Sequence, residues 1–176
     1  MSQADIKLIA MDVDGVLTDG KFYIGSDGTE YKTFHAQDGL GMTLAQHAGL
    51  KVAIITGKRS RAVTLRARQL GIDYVFQGIQ NKREKLLELI DDLGLVYENV
   101  CYIGDDLNDL AILEQVGFSA APRNAVSYVK SHVDYVAKRK GGEGAVREII
   151  DFILMEKCDY RKLIQHLIES GRKIKQ

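Results

Sequence analysis

Two carboxylates separated by one residue, Asp12 and Asp14, stand in Met11-Asp12-Val13-Asp14-Gly15-Val16-Leu17-Thr18, directly after the apolar run Ile6 to Met11, where only Lys7 is charged. Alternate residues of an extended chain project to one side, so both side chains can face a common ligand if strand geometry persists past Ala10. Carboxylates this close repel unless a cation or a shared proton compensates. Oxygen ligands favour magnesium as that cation. A strand that simply ends in turn-forming or helix-capping aspartates is the plainer reading of this stretch.

Three later segments carry matching chemistry. Thr56-Gly57-Lys58 offers a hydroxyl and a backbone open to close approach, leading into a helix whose N-terminal amides would favour an anion. Gly78-Ile79-Gln80-Asn81-Lys82 ends in a cation at the start of the next helix, and Gly104-Asp105-Asp106-Leu107-Asn108-Asp109 is an acidic loop. Singly, each has a plainer reading: a helix cap at Thr56, a solvated lysine, capping aspartates. Together they fall after four strands, at the edge where open parallel sheets bind their ligands. That coincidence points to a carboxylate nest for a metal, with a hydroxyl, a lysine and free amides for a phosphate.

The elements that must position these residues alternate. Ile6 to Met11, Val52 to Ile55, Tyr74 to Phe76, Val100 to Ile103 and Phe118 to Ala120 read as strands. Between and after them, His35 or Asp38 to His47, Arg59 to Leu70, Lys82 to Leu93, Leu107 to Val116 and Glu143 to Met155 carry apolar residues at helical spacing. The pattern predicts an α/β fold, a doubly wound, mainly parallel, Rossmann-like sheet. One insertion breaks it: residues 21–34 read as a β-hairpin around Gly25-Ser26-Asp27-Gly28, too short to be a domain. Residues 1–176 are expected to form one domain, with a C-terminal helix and basic tail over about 157–176.

Composition narrows the function classes. The 176 residues are 45% apolar and 27% charged, with 24 acidic and 24 basic side chains, so no global field recruits nucleic acid or an anionic membrane. Nothing resembles a signal peptide and no apolar run reaches spanning length, which predicts a cytoplasmic protein with no membrane partner. The two cysteines, Cys101 and Cys158, have no metal-ligand spacing, and a disulfide framework is not expected.

The motifs Asp-X-Asp-Gly-Val-Leu-Thr, Ile-Thr-Gly, Asn-Lys and Gly-Asp-Asp-Leu-Asn-Asp, in this order and spacing, resemble the haloacid dehalogenase superfamily of phosphatases. Thr18-Asp19-Gly20, the hairpin, Asp38-Gly39, Tyr74 to Gly78 and residues 141–148 extend the resemblance to the 3-deoxy-D-manno-octulosonate 8-phosphate phosphatase family over most of the chain. The resemblance implies a magnesium-dependent phosphomonoesterase. Asp12 would be the nucleophile that forms an aspartyl phosphate, and Asp14 the general acid and base. Magnesium would be held by the Asp12 carboxylate, the Asp14 main-chain carbonyl and Asp105, while Thr56, the Gly57 amide and Lys82 would bind the phosphoryl group. Asp106 and Asp109 would orient Asp105 and Lys82 from behind.

The same family places substrate contacts at Lys58, Arg66, Thr43 and the loop His35-Ala36-Gln37-Asp38-Gly39, of which only Asp38 and Gly39 repeat its residues. Lys58, Arg59, Arg61 and Arg66 are candidate partners for a sugar-acid carboxylate. The resemblance also implies a homotetramer, its hairpins meeting in a central barrel and each site completed by a neighbouring chain. A sister group acting on 2-keto-3-deoxynononate 9-phosphate carries Glu where this chain has Lys58, which favours the octulosonate substrate. A receiver domain would need a phosphorylated Asp after the third strand, and Tyr74 to Gly78 supplies none. A non-catalytic tetramerising module would have lost the catalytic residues that are all kept here. The first turn also lacks the glycine fingerprint of a dinucleotide-binding domain. The tail from Gly171 to Gln176 is expected either to enter a neighbouring site or to lie solvated.

Overall fold

The computed structural model describes residues 5–169. The chain runs β1 (Leu8–Met11), β2 (Tyr23–Ile24), β3 (Glu30–Tyr31), α1 (Ala36–His47), β4 (Lys51–Thr56), α2 (Arg61–Leu70), β5 (Tyr74–Gln77) and α3 (Lys82–Asp92). It continues through β6 (Val100–Ile103), α4 (Leu110–Leu113), β7 (Phe118–Ala121), α5 (Ser127–Lys130), β8 (Tyr135–Val136), α6 (Ala145–Lys157) and α7 (Tyr160–Glu169). The main sheet has the order β5-β4-β1-β6-β7-β8, and every pairing in it is parallel.

Strand periodicity explains the two layers. In β1, Ile9 and Met11 face one core with α1, α2, α6 and Leu167 of α7, while Leu8 and Ala10 face the other with α3, α4 and Val129 of α5. Each strand buried on both faces is therefore a continuous apolar run, and the sheet is doubly wound. Because β1 lies at the centre, flanked by β4 and β6, the loops after these three strands must converge at one edge. Gly15, in the loop after β1, has φ +89°, and a Cβ there would lie 2.0 Å from Asp105 Oδ2, so the first motif and the acidic loop meet only because this residue has no side chain.

Several boundaries differ from the sequence expectation. The helix expected over Leu107 to Val116 is a 3₁₀ turn, Leu107–Asp109, followed by one turn of α4, because the side chains of Asp106 and Asp109 are spent on loop amides. The hairpin is present, with Tyr23 opposite Tyr31 and Ile24 opposite Glu30, but each of its strands is two residues long. A sixth strand, β8, and the short α5 were not foreseen; two- and four-residue elements carry too little periodicity to read. The apolar spacing of Tyr160, Leu163, Ile164 and Leu167 forms α7, whereas residues 170–176 lie outside the described residues. Among the described residues no helix is long and apolar enough to cross a membrane.

Candidate active site

Asp12 follows β1 and is almost closed to solvent, at 6% exposure. Its Oδ1 accepts the Val13 amide at 2.6 Å and its Oδ2 accepts Lys82 Nζ at 2.7 Å. Lys82 is the first residue of α3, whose N-cap Asn81 accepts the Glu84 amide; this places the lysine under the β1 tip. The same ammonium donates to Asp109 Oδ1 at 2.8 Å. Asp109 is fully buried and gathers two further donors, the Tyr102 hydroxyl at 2.9 Å and the Asp105 amide at 3.1 Å. A single carboxylate, Asp109, thus ties the end of β6, the acidic loop and α3 to the lysine that holds Asp12.

Charge in this cluster does not balance. Three carboxylates, Asp12, Asp105 and Asp109, offer ligand atoms within 4.8 Å of one another, and among the described residues Lys82 is the ammonium paired with this cluster, through Asp12 and Asp109. Two negative charges are left over in a largely buried site, a cost that a divalent cation removes. Asp105 carries the sign of this: its carboxyl is pushed up to about 7, first by burial and then by the charges of Asp109, Asp12 and Asp106, against a smaller opposing pull from Lys82. Burial also raises Asp12, against the pull of Lys82. For Lys82 burial opposes the charge, but Asp109 and Asp12 outweigh it and hold the ammonium above its usual range. The donor set is all oxygen and fits magnesium better than a soft metal.

An open cleft of about 500 Å³ lies over this cluster, lined by Asp12, Asp14, Thr56, Gly57, Lys58, Asp105, Asp106 and Phe22 of the hairpin segment. Thr56 ends β4, opposite Gln77 of the neighbouring strand, and is 3% exposed. Lys58 sits at the rim with its Nζ 3.4 Å from the centre of the Phe22 ring. The expected anion site on the amides after Gly57 needs correction: α2 begins at Arg61, two residues later than the sequence suggested. Ser60 donates its amide to Gln77 Oε1 at 2.7 Å, and Arg59 and Arg61 line a separate hollow with Gln77. Asp106 is exposed and caps the 3₁₀ turn through the Leu107 amide rather than touching Asp105 or Lys82.

Of the expected substrate-contacting residues Lys58 lines this cleft, whereas Arg66, Thr43 and the loop from His35 to Gly39 do not. Asp38, 1% exposed, accepts the Arg147 amide at the start of α6, and Thr43, also buried, donates to Gly39 O within α1. Arg66 lies over Phe34 and, with His35 and Asp38, borders a small apolar hollow on another part of the surface. Ala36 and Gln37 are exposed, and Gln37 accepts a hydrogen bond from Arg139.

Four residues of the site were not found from the sequence. Tyr102 lay in a run read only as a strand and Lys32 in the segment read only as a hairpin, yet Tyr102 donates to Asp109 and Lys32 forms an ion pair with Asp14. Asn124 donates to Gly15 O at 2.9 Å and accepts the Gly141 amide at 2.6 Å, pinning two loops together. The signal for Asn124 and Gly141 was the glycine pair Gly141-Gly142, which the resemblance noted without a role.

Comparison with known proteins agrees with this geometry. The model of haloacid dehalogenase-like hydrolases matches residues 75–150. The chain is 42% identical over 151 residues to 3-deoxy-D-manno-octulosonate 8-phosphate phosphatase KdsC of Escherichia coli strain K12, covering 86% of this chain and 80% of that protein. Its fold matches the Moraxella catarrhalis phosphatase of that name, solved with magnesium ion, phosphate ion and KDO, at TM-score 0.91 and 40% identity, over 94% of this chain and 95% of that one. The Yersinia pestis phosphatase matches at TM-score 0.86 and 42% identity, over 89% and 84% of the two chains. Sequence, fold and the buried carboxylate–lysine cluster agree, and the chain belongs to the 3-deoxy-D-manno-octulosonate 8-phosphate phosphatase family of haloacid dehalogenase-like hydrolases.

Proposed function

We propose that this chain hydrolyses the phosphate monoester of a 3-deoxy sugar acid, 3-deoxy-D-manno-octulosonate 8-phosphate, with magnesium as cofactor. The observation that carries the reading is the cluster of Asp12, Asp105 and Asp109 around Lys82, two charges short of neutral, at the floor of an open cleft. Asp12 and Asp105 carboxylates and the Asp14 main-chain carbonyl would hold the ion. Bound there, magnesium supplies the positive charge that lets an anionic nucleophile meet an anionic phosphate.

The protein's own groups divide the remaining work. An Asp12 oxygen attacks phosphorus in line; its bond to phosphorus forms as the bond to the sugar oxygen breaks, leaving an aspartyl phosphate. Asp14 donates a proton to the departing oxygen and later takes one from the water that hydrolyses the intermediate. Lys82 keeps Asp12 ionised and oriented, and with Thr56 and the Gly57 amide offsets charge on the phosphoryl oxygens. Lys58, poised at the rim on Phe22, is a partner for the sugar-acid carboxylate.

The reading extends to a single-domain, cytoplasmic homotetramer. Phe22, Tyr23, Ile24 and Tyr31 leave the hairpin with an exposed apolar face, which supports its packing against other copies. Both cysteines are free, in keeping with a reducing compartment. His35, Ala36, Gln37, Asp38, Gly39, Thr43 and Arg66 are proposed to serve substrate binding in the assembled enzyme; His35, Asp38 and Arg66 border a hollow of their own.

Phosphate release from purified protein tests the substrate. Octulosonate 8-phosphate should be turned over with magnesium and not with excess chelator, and much faster than nononate 9-phosphate. Preference for the nine-carbon substrate would move the chain to the sister activity; no release from either would sink the reading.

A further inference from the structure

Lys32 follows the second strand of the hairpin, outside the main sheet, yet its side chain is only 2% exposed. An ammonium withdrawn from water is costly unless opposite charge meets it. It forms an ion pair with Asp14 Oδ1, and Glu30 Oε1 lies 3.5 Å away. The Phe22 ring lies beneath it, 5.7 Å from Nζ to the centroid, on the same ring that carries Lys58. Asp14 stands among carboxylates: Asp12, Asp105 and Asp106 line the same cleft. Lys82 is committed to Asp12 and Asp109 and makes no contact with Asp14. Among the described residues, the cation paired with Asp14 thus comes from the hairpin segment and not from the main sheet.

We propose that Lys32 is a positioning residue: it fixes the Asp14 carboxylate at the mouth of the cleft, so the hairpin sets the geometry of proton transfer as well as any packing between copies. This rests on the phosphatase reading above, in which Asp14 serves the departing oxygen and then the attacking water. A long, buried side chain anchored at Glu30 and Phe22 has few alternative rotamers, so the carboxylate it meets is restrained to one orientation.

The test is steady-state and burst kinetics of full-length, magnesium-loaded Lys32→Met, Lys32→Arg and Lys32→Gln. With octulosonate 8-phosphate, Lys32→Met should lose about tenfold or more in kcat, the scale of a misplaced acid–base group, with KM within about twofold. Lys32→Arg, which keeps the charge, should recover part of that loss and Lys32→Gln less. With p-nitrophenyl phosphate the leaving group departs without a proton, so the first-turnover burst should survive in Lys32→Met while later turnovers slow. Unchanged kcat, a loss confined to KM, an equal loss of the burst, or an arginine variant no better than methionine would each overturn the proposal. If Lys32→Met alone fails to fold, the order of the arginine and glutamine variants decides. Wild-type protein that releases phosphate from no monoester would instead remove the functional reading. The positional claim is then read from a crystal structure of Lys32→Gln, where an undisplaced Asp14 carboxylate contradicts it and a displaced one supports it.

Discussion

Asp12 is held by a backbone amide on one oxygen and an ammonium on the other, and this fixes what its replacement would do. Asp12→Asn keeps an acceptor for the Val13 amide but loses the nucleophile, so phosphate release should fall by about three orders of magnitude or more while the fold persists. Circular dichroism beside a phosphate assay checks both halves, and substantial residual turnover would contradict the nucleophile role. Asp105 makes a second prediction. With its carboxyl raised to about 7 in the metal-free site, the ion must displace a proton at acidic pH. Apparent magnesium affinity should therefore weaken as pH drops below about 7 and level off above it, measured by calorimetry from pH 5.5 to 8.5; a flat profile would refute the cause given for the shift. At this scale the sequence was legible where motifs are local: Asp12, Asp14 and Asp105 follow, and Thr56 ends, a strand that announces itself by a run of apolar residues. Lys32, Tyr102 and Asn124 were not legible, since their partners lie at a distance no period encodes. Asn124 touches Gly15, 109 residues away, and Lys32 reaches Asp14 across a hairpin whose register no residue pattern sets.

The elements meet most tightly where the 141–142 loop passes under the first motif. A Cβ on Gly141 would sit 1.8 Å from the Gly15 carbonyl oxygen, and Asn124 bonds both loops of this contact. Gly141→Ala must push the motif loop away from its support, costing about 1–3 kcal/mol of overpacking strain. Urea unfolding should show that loss, and kcat should fall with it because Asp14 rides on the displaced loop; a variant with wild-type stability and turnover would show the contact to be slack. The strands β1, β4, β6 and β7 were readable from sequence because they are buried on both faces, and the long helices because their apolar stripe repeats. Boundaries failed where side chains compete with the backbone, as at Asp106 and Asp109, or where an element is shorter than one period, as in β8.

For the whole molecule, assembly is the property that a single chain leaves to its surface. Ile24, 69% exposed on the hairpin, would lie in the interface of the proposed tetramer. Ile24→Asp should shift the mass seen by light scattering from four chains to fewer, with activity falling in parallel because sites lose a neighbour's loop. An intact tetramer would place the interface elsewhere. The α/β class was legible from the alternation of elements, whereas which surface meets which copy has no trace in one chain's periodicity. The hairpin is all that separates β1 from α1 over the cleft, and that shapes how ligands come and go. Nothing the size of a domain has to swing before a sugar acid reaches the floor, so crystals grown empty should take up inorganic phosphate by soaking without cracking.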